Sequence, residues 1–535
     1  MKSLKYILPI AVVAVLGTAC EGFLDKEPLV TPIAETFYKD DANAVLAVNA
    51  IYDAISWDEG GVTGSGHTYE WMYGDLLSDD SKKGSTTGDY LELKQMETWQ
   101  TLTNAPVQSS TWNNMYVAIY RANQVLTYLG DPQSVITEDL KSRLMGEAYF
   151  LRAYSYFNLV TKYGGVPVVT ELIPMTDWGK YGRSSVAEVY QQIESDLKEA
   201  INRLPEKGTY TEANRGRATK GAAKAYLARA YMYQLGTDNT NGITWQQVYT
   251  LTNEVITSGQ YQLMSNYAML FEIENENNAE SVFELQFVDV NNDWGPGKTG
   301  TGNNVIQNNR ATWGWGFNNP TQNLVDAFED NDPRLAVTVY TSNDTVVGTL
   351  QQIDYPGQNE TGYLNRKAFL ATAPSASSSS PKNIIKFRYA DILLMQAEAA
   401  YHLGQESTAR DFVNQVRARA RISTRPKGSA GIGASDYRPY PVVAGRLPDV
   451  TASGTALLDA ILHERRVELA MEGLRYYDLV RTGRYFTALA NKYSQTEATR
   501  AESRSIKTGV VNPIPVMPIP LTEVQSWGLT QNPGY

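Results

Sequence analysis

The chain of 535 residues holds one cysteine and three histidines. A single thiol permits no intramolecular disulfide, so the fold must be held by packing alone. Three scattered histidines, His67, His402 and His463, leave no spacing for a zinc site, and without a Gly-x-Ser-x-Gly elbow a Ser-His-Asp triad is not expected. Long hydrophobic runs are also missing. None reaches the roughly 18 residues a membrane-crossing helix needs, and mean hydropathy is −0.35, which excludes a multi-span membrane protein. Positive charge is in deficit, with 47 Lys plus Arg against 58 Asp plus Glu and a net charge of −11. Such a chain is a poor counterion for phosphate backbones, so no nucleic acid partner is expected. Purely apolar rings are few, 13 Phe beside 34 Tyr and 10 Trp. Amphipathic rings in that excess suit wet binding surfaces. What is present, 42% hydrophobic residues, suffices for a sizeable core.

The position of the one cysteine is informative. Lys2 and Lys5 precede an apolar stretch from Tyr6 to Leu16, and Gly17-Thr18-Ala19 lead into Cys20. A positive start, a short apolar middle and small residues before a Cys make a secretory signal of lipoprotein type, residues 1–19, with Cys20 as the acylated first residue. Loss of Lys2 and Lys5 takes the net charge from −11 to −13. Residues 20–36 then read as a Pro-containing acidic tether.

Helical spacing follows over Asp40–Ile55, Trp112–Leu129, Lys141–Tyr163, Ser184–Leu204 and Ala218–Leu235. Gly164-Gly165 ends the third of these, and alanines at 218, 222, 225 and 228 let a neighbour approach the fifth closely. Tyr389–Leu403 and Ser407–Ala420 pair around Gly404, and Thr455–Val480 reads as one long helix. Antiparallel pairs of about 34–40 residues suggest tetratricopeptide-like units. Asp58–Gly88 reads as long loops carrying Trp71, Tyr73, Asp79 and Asp80. Ser281–Val290 alternates as a strand with one face buried. The expected fold is therefore mainly α-helical: a single domain over residues 37–535, with a helical scaffold at about 37–240 and 381–535 and a loop-rich ligand-binding insertion at about 241–380 containing a little β structure.

Motifs for catalysis are weak. His463-Glu464 starts like a zinc helix, but position 467 is Val, so an ion-paired helix is the better reading. Trp294-Gly-Pro-Gly-Lys-Thr299 lacks the first glycine of a phosphate loop and the helix that must follow. Asp79-Asp80 and Asp330/Asp332 could supply a carboxylate pair for glycoside hydrolysis, although in such loops they more often cap, turn or bind a structural calcium ion. The stronger constellation is aromatic. Trp294, Trp313, Trp315 and Phe317 interleave with Gly314, Gly316, Asn318 and Asn319, offering flat faces beside amide donors and acceptors, which suits neutral glycans.

Longer blocks carry a family resemblance. Glu147-Ala-Tyr-Phe-Leu-Arg-Ala-Tyr-Ser-Tyr-Phe157, Tyr163-Gly-Gly-Val-Pro167, Arg217-Ala-Thr-Lys-Gly-Ala-Ala-Lys-Ala-Tyr226 and Arg388-Tyr-Ala-Asp-Ile-Leu-Leu-Met-Gln-Ala-Glu398 resemble the SusD/RagB family of outer-membrane nutrient-binding lipoproteins of Bacteroidetes. So do Leu462-His-Glu-Arg-Arg-Val-Glu-Leu-Ala470, Tyr477-Asp-Leu-Val-Arg-Thr-Gly483 and the ending Gln531-Asn-Pro-Gly-Tyr535. The resemblance implies tetratricopeptide-like helix pairs, no catalysis, no required cofactor, and a lipid-anchored, surface-exposed place on the outer membrane over a SusC-like TonB-dependent transporter. It implies capture of oligosaccharides, or of peptides in the RagB branch. Aromatic residues of the loop-rich half would meet the glycan, and Trp71, Trp294, Trp313 and Trp315 lie in comparable regions. Asp79, Asp80 and Asn318 complete the expected ligand set. A surface glycosidase and a protein-only docking scaffold are the rival classes.

Overall fold

A computed structural model describes residues 37–59, 68–289, 300–311, 313–341, 344, 360–370, 373–375, 379–427, 437–492, 494–507, 509 and 511–535. Cys20, the tether and Trp294 lie outside the described residues.

Ten helices make the scaffold: α1 (Asp41–Ser56), α2 (Pro106–Gly130), α3 (Glu138–Tyr163), α4 (Val186–Arg203), α5 (Lys220–Gly236), α6 (Trp245–Thr257), α7 (Tyr389–His402), α8 (Glu406–Ile422), α9 (Thr455–Glu468) and α10 (Arg475–Arg481). Local chemistry starts several of them. The Asp40 carboxylate accepts from the Asn43 amide at 2.9 Å. Ser185 and Glu188 close a capping box on α4, with the Glu188 carboxylate accepting from the Ser185 amide at 2.7 Å. Helices α1 to α8 each pack on the next in sequence, so α6 joins the first five to the last pairs, while α9 packs on α7 and α8 and α10 on α5. Helix α6 lies within the span expected to be insertion, yet it is part of this stack.

The core is continuous through the stack. Trp99, Trp112, Tyr156 and Tyr163 are fully buried in it, and the small face of α5 works as its alanines suggest: Ala222, Ala225 and Ala228 are 0% exposed. Burial of such surface at roughly 25 cal/mol per Å² is the main stabilising force in a chain without disulfides.

Two expectations need correction. The run 455–480 is not one helix. It stops at Glu468 and resumes at Arg475, because Met471 and Gly473 take φ of 61° and 74°, values no α-helix contains. The strand at 281 is shorter, Ser281–Leu285, and buried on both faces. This strand, β2, pairs antiparallel with β4 (Ile384–Arg388), Ser281 opposite Arg388 and Leu285 opposite Ile384. A second antiparallel ribbon joins β1 (Ser81–Gly84) to β3 (Phe317–Pro320), with Lys82 opposite Asn319 and Gly84 opposite Phe317. The stretch expected to be loop thus contains β1 and a helical turn, Trp71–Gly74.

The expected ion-paired helix is α9, but its partners come from elsewhere. Glu464 and Glu468 bond Arg334 at 2.6 and 3.0 Å, Arg417 bonds Glu464 at 2.9 Å, and Arg388 bonds Glu468 at 2.5 Å. All of these side chains are buried. Glu468 would be driven up by burial, but the Arg419, Arg388 and Arg334 guanidiniums outweigh that and hold it well below the usual carboxylate range. This network fastens the insertion to the C-terminal helices.

Candidate functional site

The β1–β3 ribbon carries the candidate site. Its residues occupy an unusual density of left-handed backbone: Gly84, Ser85, Tyr90, Gly316 and Asn318 have φ of 73°, 54°, 46°, 74° and 57°. For the three non-glycines this is disfavoured conformation, which persists only where the surroundings impose it and which concentrates at functional sites. The surroundings here are specific. The Ser85 amide donates to the Gly316 carbonyl at 2.7 Å, the Trp315 amide to Val305 at 3.0 Å, and the Gly316 amide to Asn308 at 2.8 Å. A Cβ on Gly314 would collide with the Asn308 carbonyl, and one on Gly84 would stand 2.5 Å from the Gly316 carbonyl oxygen. Gly314 between the tryptophans and Gly84 on β1 therefore let the loop lie close against the end of the short helix Asn303–Gln307 and the ribbon.

That loop presents Trp313, half-buried, and Trp315, which is 36% exposed. Beside them Arg310 clamps the two strands' loops: its guanidinium donates to Ser85 Oγ at 2.8 Å and pairs with Asp89. The Thr86 and Ser85 donors, with Arg310, hold the Asp89 carboxyl down at about 2, so this pair is charged at neutral pH. Underneath, Lys83 Nζ donates to the Thr86 and Asp89 carbonyls at 2.8 and 2.9 Å, and Tyr90 meets Phe317 edge-on at 6.2 Å. Lys94 and Glu360 form an exposed pair at 3.6 Å, and the Tyr363 hydroxyl donates to Gln322 at 2.5 Å. Exposed ring faces beside the Arg310–Asp89 ion pair offer stacking together with fixed donors and acceptors. This chemistry fits a neutral polyhydroxylated ligand.

The other expected ligand residues lie elsewhere or are otherwise engaged. Asp79 is bound by Arg475 at 2.8 and 3.0 Å, and Asp80 by Arg466 at 2.7 Å. Burial alone would raise Asp79, but Arg475 outweighs it and holds the carboxyl near 2. Both aspartates are buried, so their place is an ion-pair cluster joining β1 to the C-terminal helices rather than an open contact surface. Asp332 is likewise consumed by Arg334 at 2.8 Å. Asn318 is 0% exposed and donates to Asp75 at 3.1 Å and Gln307 at 2.8 Å, which makes it a brace beneath the ribbon. Burial pushes its partner Asp75 up to about 7. Trp71 is 4% exposed, stacks on Tyr69 at 5.9 Å, and lines an interior cavity rather than the ribbon. Sequence reasoning missed Ser85, Asp89 and Arg310. The only signal was the turn-rich run Gly84-Ser-Thr-Thr-Gly-Asp89.

Among the described residues no three His, Cys, Asp or Glu side chains gather as a metal ion would need. Nor is any described helix long and apolar enough to cross a membrane.

The chain is similar to known proteins in sequence and fold. A model of the SusD family matches residues 279–535, and one described as starch-binding associating with outer membrane matches residues 38–232. A SusD-like protein of Formosa agariphila is 29% identical over 506 residues, covering 87% of this chain and 88% of that protein. A solved laminarin-binding SusD-like protein is 28% identical and superposes with a TM-score of 0.72 over 93% of this chain and 100% of the other. Surface glycan-binding protein A from Bacteroides thetaiotaomicron, solved in complex with laminarihexaose, shares the fold with a TM-score of 0.70 at 23% identity, over 92% of this chain and 99% of the other.

Proposed function

The chain belongs to the SusD family, and from that premise we propose that it is a cell-surface glycan-binding lipoprotein, anchored through Cys20, which captures oligosaccharides and passes them to a SusC-like TonB-dependent transporter. The observation that carries the reading is the pairing of exposed Trp315 and half-buried Trp313 with the Arg310–Asp89 clamp on a braced ribbon. A pyranose ring presents a C–H face to an indole and hydroxyls to its rim. Trp313 and Trp315 supply the first contact, and the guanidinium and carboxylate of the clamp supply the second. Braced side chains lose little freedom when the ligand arrives, so more of the contact energy remains as affinity. A laminarin-type β-glucan is the first candidate, because the laminarin-binding relative shares both sequence and fold over nearly the whole chain.

No step of bond cleavage is assigned. The conspicuous carboxylate pair, Asp79 and Asp80, is tied to two arginines, whereas hydrolysis needs one carboxyl free to donate a proton and another free to attack or activate water. The acylated N-terminus would hold the protein at the membrane, since several acyl chains at roughly 0.8 kcal/mol per buried CH₂ anchor firmly.

Isothermal titration of residues 21–535 against laminarin oligosaccharides, α-glucans and a mixed peptide panel tests the reading, with each mixture analysed afterwards for cleavage products. Binding of one glycan class without cleavage is expected. Binding of peptides alone would move the protein to the RagB branch, and product formation would make it a hydrolase.

A further inference from the structure

Two cavities adjoin inside the scaffold. One, of about 140 Å³, lies where α3 and α5 face β4 and the Asn303–Gln307 helix. The other is a groove of about 580 Å³ between the 207–219 connection and the 274–284 loop. Glu276 and Glu284 line both and stand at the threshold between them. Neither cavity is lined by Asp89, Arg310, Trp313 or Trp315.

Three residues of the inner cavity's lining carry a buried polar atom with no hydrogen-bond partner among the described residues: Trp71 Nε1, Arg229 Nε and Glu284 Oε1. Each belongs to a side chain more than nine-tenths buried. Leaving such an atom unpaired costs about 1–3 kcal/mol, and buried polar groups in native interiors are normally paired with protein, water or ligand. The three atoms are two donors and one acceptor. Arg229 pairs with Asp391 and Lys386 with Glu59, whereas Lys207 and Lys382 donate to backbone carbonyls and burial raises the carboxyls of Glu284 and Glu276, the latter to about 7. Carboxyls held toward the neutral form can donate as well as accept, which suits a neutral partner better than an ion. Hydroxyl groups, each both donor and acceptor, match a lining of mixed donors and acceptors.

The walls divide in the same sense. Tyr154, Phe157, Tyr226 and Tyr233 form an aromatic side, and Asn304, Gln307 and Asn383 an amide side. The groove falls within the range of roughly 300–1,000 Å³ usual for small-molecule sites, and the inner cavity is close to the ~150 Å³ that admits a single six-membered ring. We propose that the groove and inner cavity form a second saccharide site, separate from the tryptophan ribbon, that takes a free mono- or disaccharide or the end of a chain, with Glu276 and Glu284 accepting its hydroxyls.

The test uses the whole soluble protein carrying W313A/W315A, which removes the ribbon's ring faces, titrated with glucose and with the β-1,3-linked glucose disaccharide. One-site binding is expected to persist in that background. It should weaken at least tenfold on adding Glu284→Ala, and equally on adding Asn275→Trp, which narrows the groove at its rim without touching either carboxylate. Should Glu284→Ala fail to fold, Asn275→Trp carries the test. No binding of either sugar to W313A/W315A, or binding unchanged by the groove substitutions, overturns the proposal. The ribbon reading fails by a different result, a hexasaccharide affinity that W313A/W315A leaves intact.

Discussion

Replacing Arg334 with alanine is expected to destabilise the protein by about 3–5 kcal/mol, the loss typical when one partner of a buried ion pair is removed. The guanidinium is 0% exposed and serves three carboxylates, Asp332 at 2.8 Å, Glu464 at 2.6 Å and Glu468 at 3.0 Å. Their fates in the variant differ. Glu464 keeps Arg417, and Glu468 keeps Arg388 and Arg419. Asp332 loses its ion-pair partner and retains only the backbone amide of residue 334 at 2.9 Å. The deficit is thus centred on one orphaned buried carboxylate plus the lost contacts of the guanidinium, which is what the single-partner figure describes. Urea unfolding followed by far-ultraviolet circular dichroism reads the change as a lowered midpoint. Lys198→Ala is the control: its pair with Glu194 is short, 2.5 Å, but the lysine is 59% exposed, and an exposed helical pair contributes less than about 1 kcal/mol. An Arg334→Ala variant within about 1 kcal/mol of wild type, or no worse than Lys198→Ala, would refute the view that this network fastens the insertion to the C-terminal helices.

Asp391 lies between Arg229 and Arg465; burial would raise it, but the two guanidiniums hold it near 2, below the ~3.9 of an unfolded aspartate. Its stabilisation is therefore present above about pH 4 and lost as pH falls toward 2, so the deficit of Asp391→Asn should shrink by ~2 kcal/mol between pH 6 and pH 2.5 in denaturation midpoints. A constant deficit would contradict the charge assignment. Trp99 is fully buried and donates to the Tyr485 hydroxyl at 2.8 Å; Trp99→Ala should cost about 3–5 kcal/mol by the same unfolding assay. Arg310→Ala removes a half-exposed clamp, so we expect a stability change under about 1 kcal/mol together with a loss of glycan affinity of at least fivefold by titration.

Helical spacing made the scaffold legible because period and packing agree along α1 to α5, and the glycine at 164 marked the end of α3. The break within 455–480 was harder to see, since Met471 supports a helix in composition while adopting φ of 61°; Gly473 was the one available hint. The aspartates misled for a different reason. Asp80 and Asp79 meet Arg466 and Arg475 from 386 and 396 residues away along the chain, and no local pattern announces a partner so distant. Asn318 looked like a free amide among tryptophans, but the ribbon turns it inward onto Asp75 and Gln307. Alternating glycines around Trp313 and Trp315 did announce a tightly turned loop, in which Trp315 is exposed and Trp313 half-buried. The Arg310 clamp was not legible, because it exists only once β1 and β3 pair.

The central claim is that the tryptophan ribbon holds a glycan. Titration of laminarihexaose into wild-type protein and into the W313A/W315A variant, with unfolding midpoints measured on both, tests it most directly. The account predicts saturable binding by wild type and at least a tenfold weaker affinity in the variant at unchanged stability. Equal affinities in two equally stable proteins would contradict it.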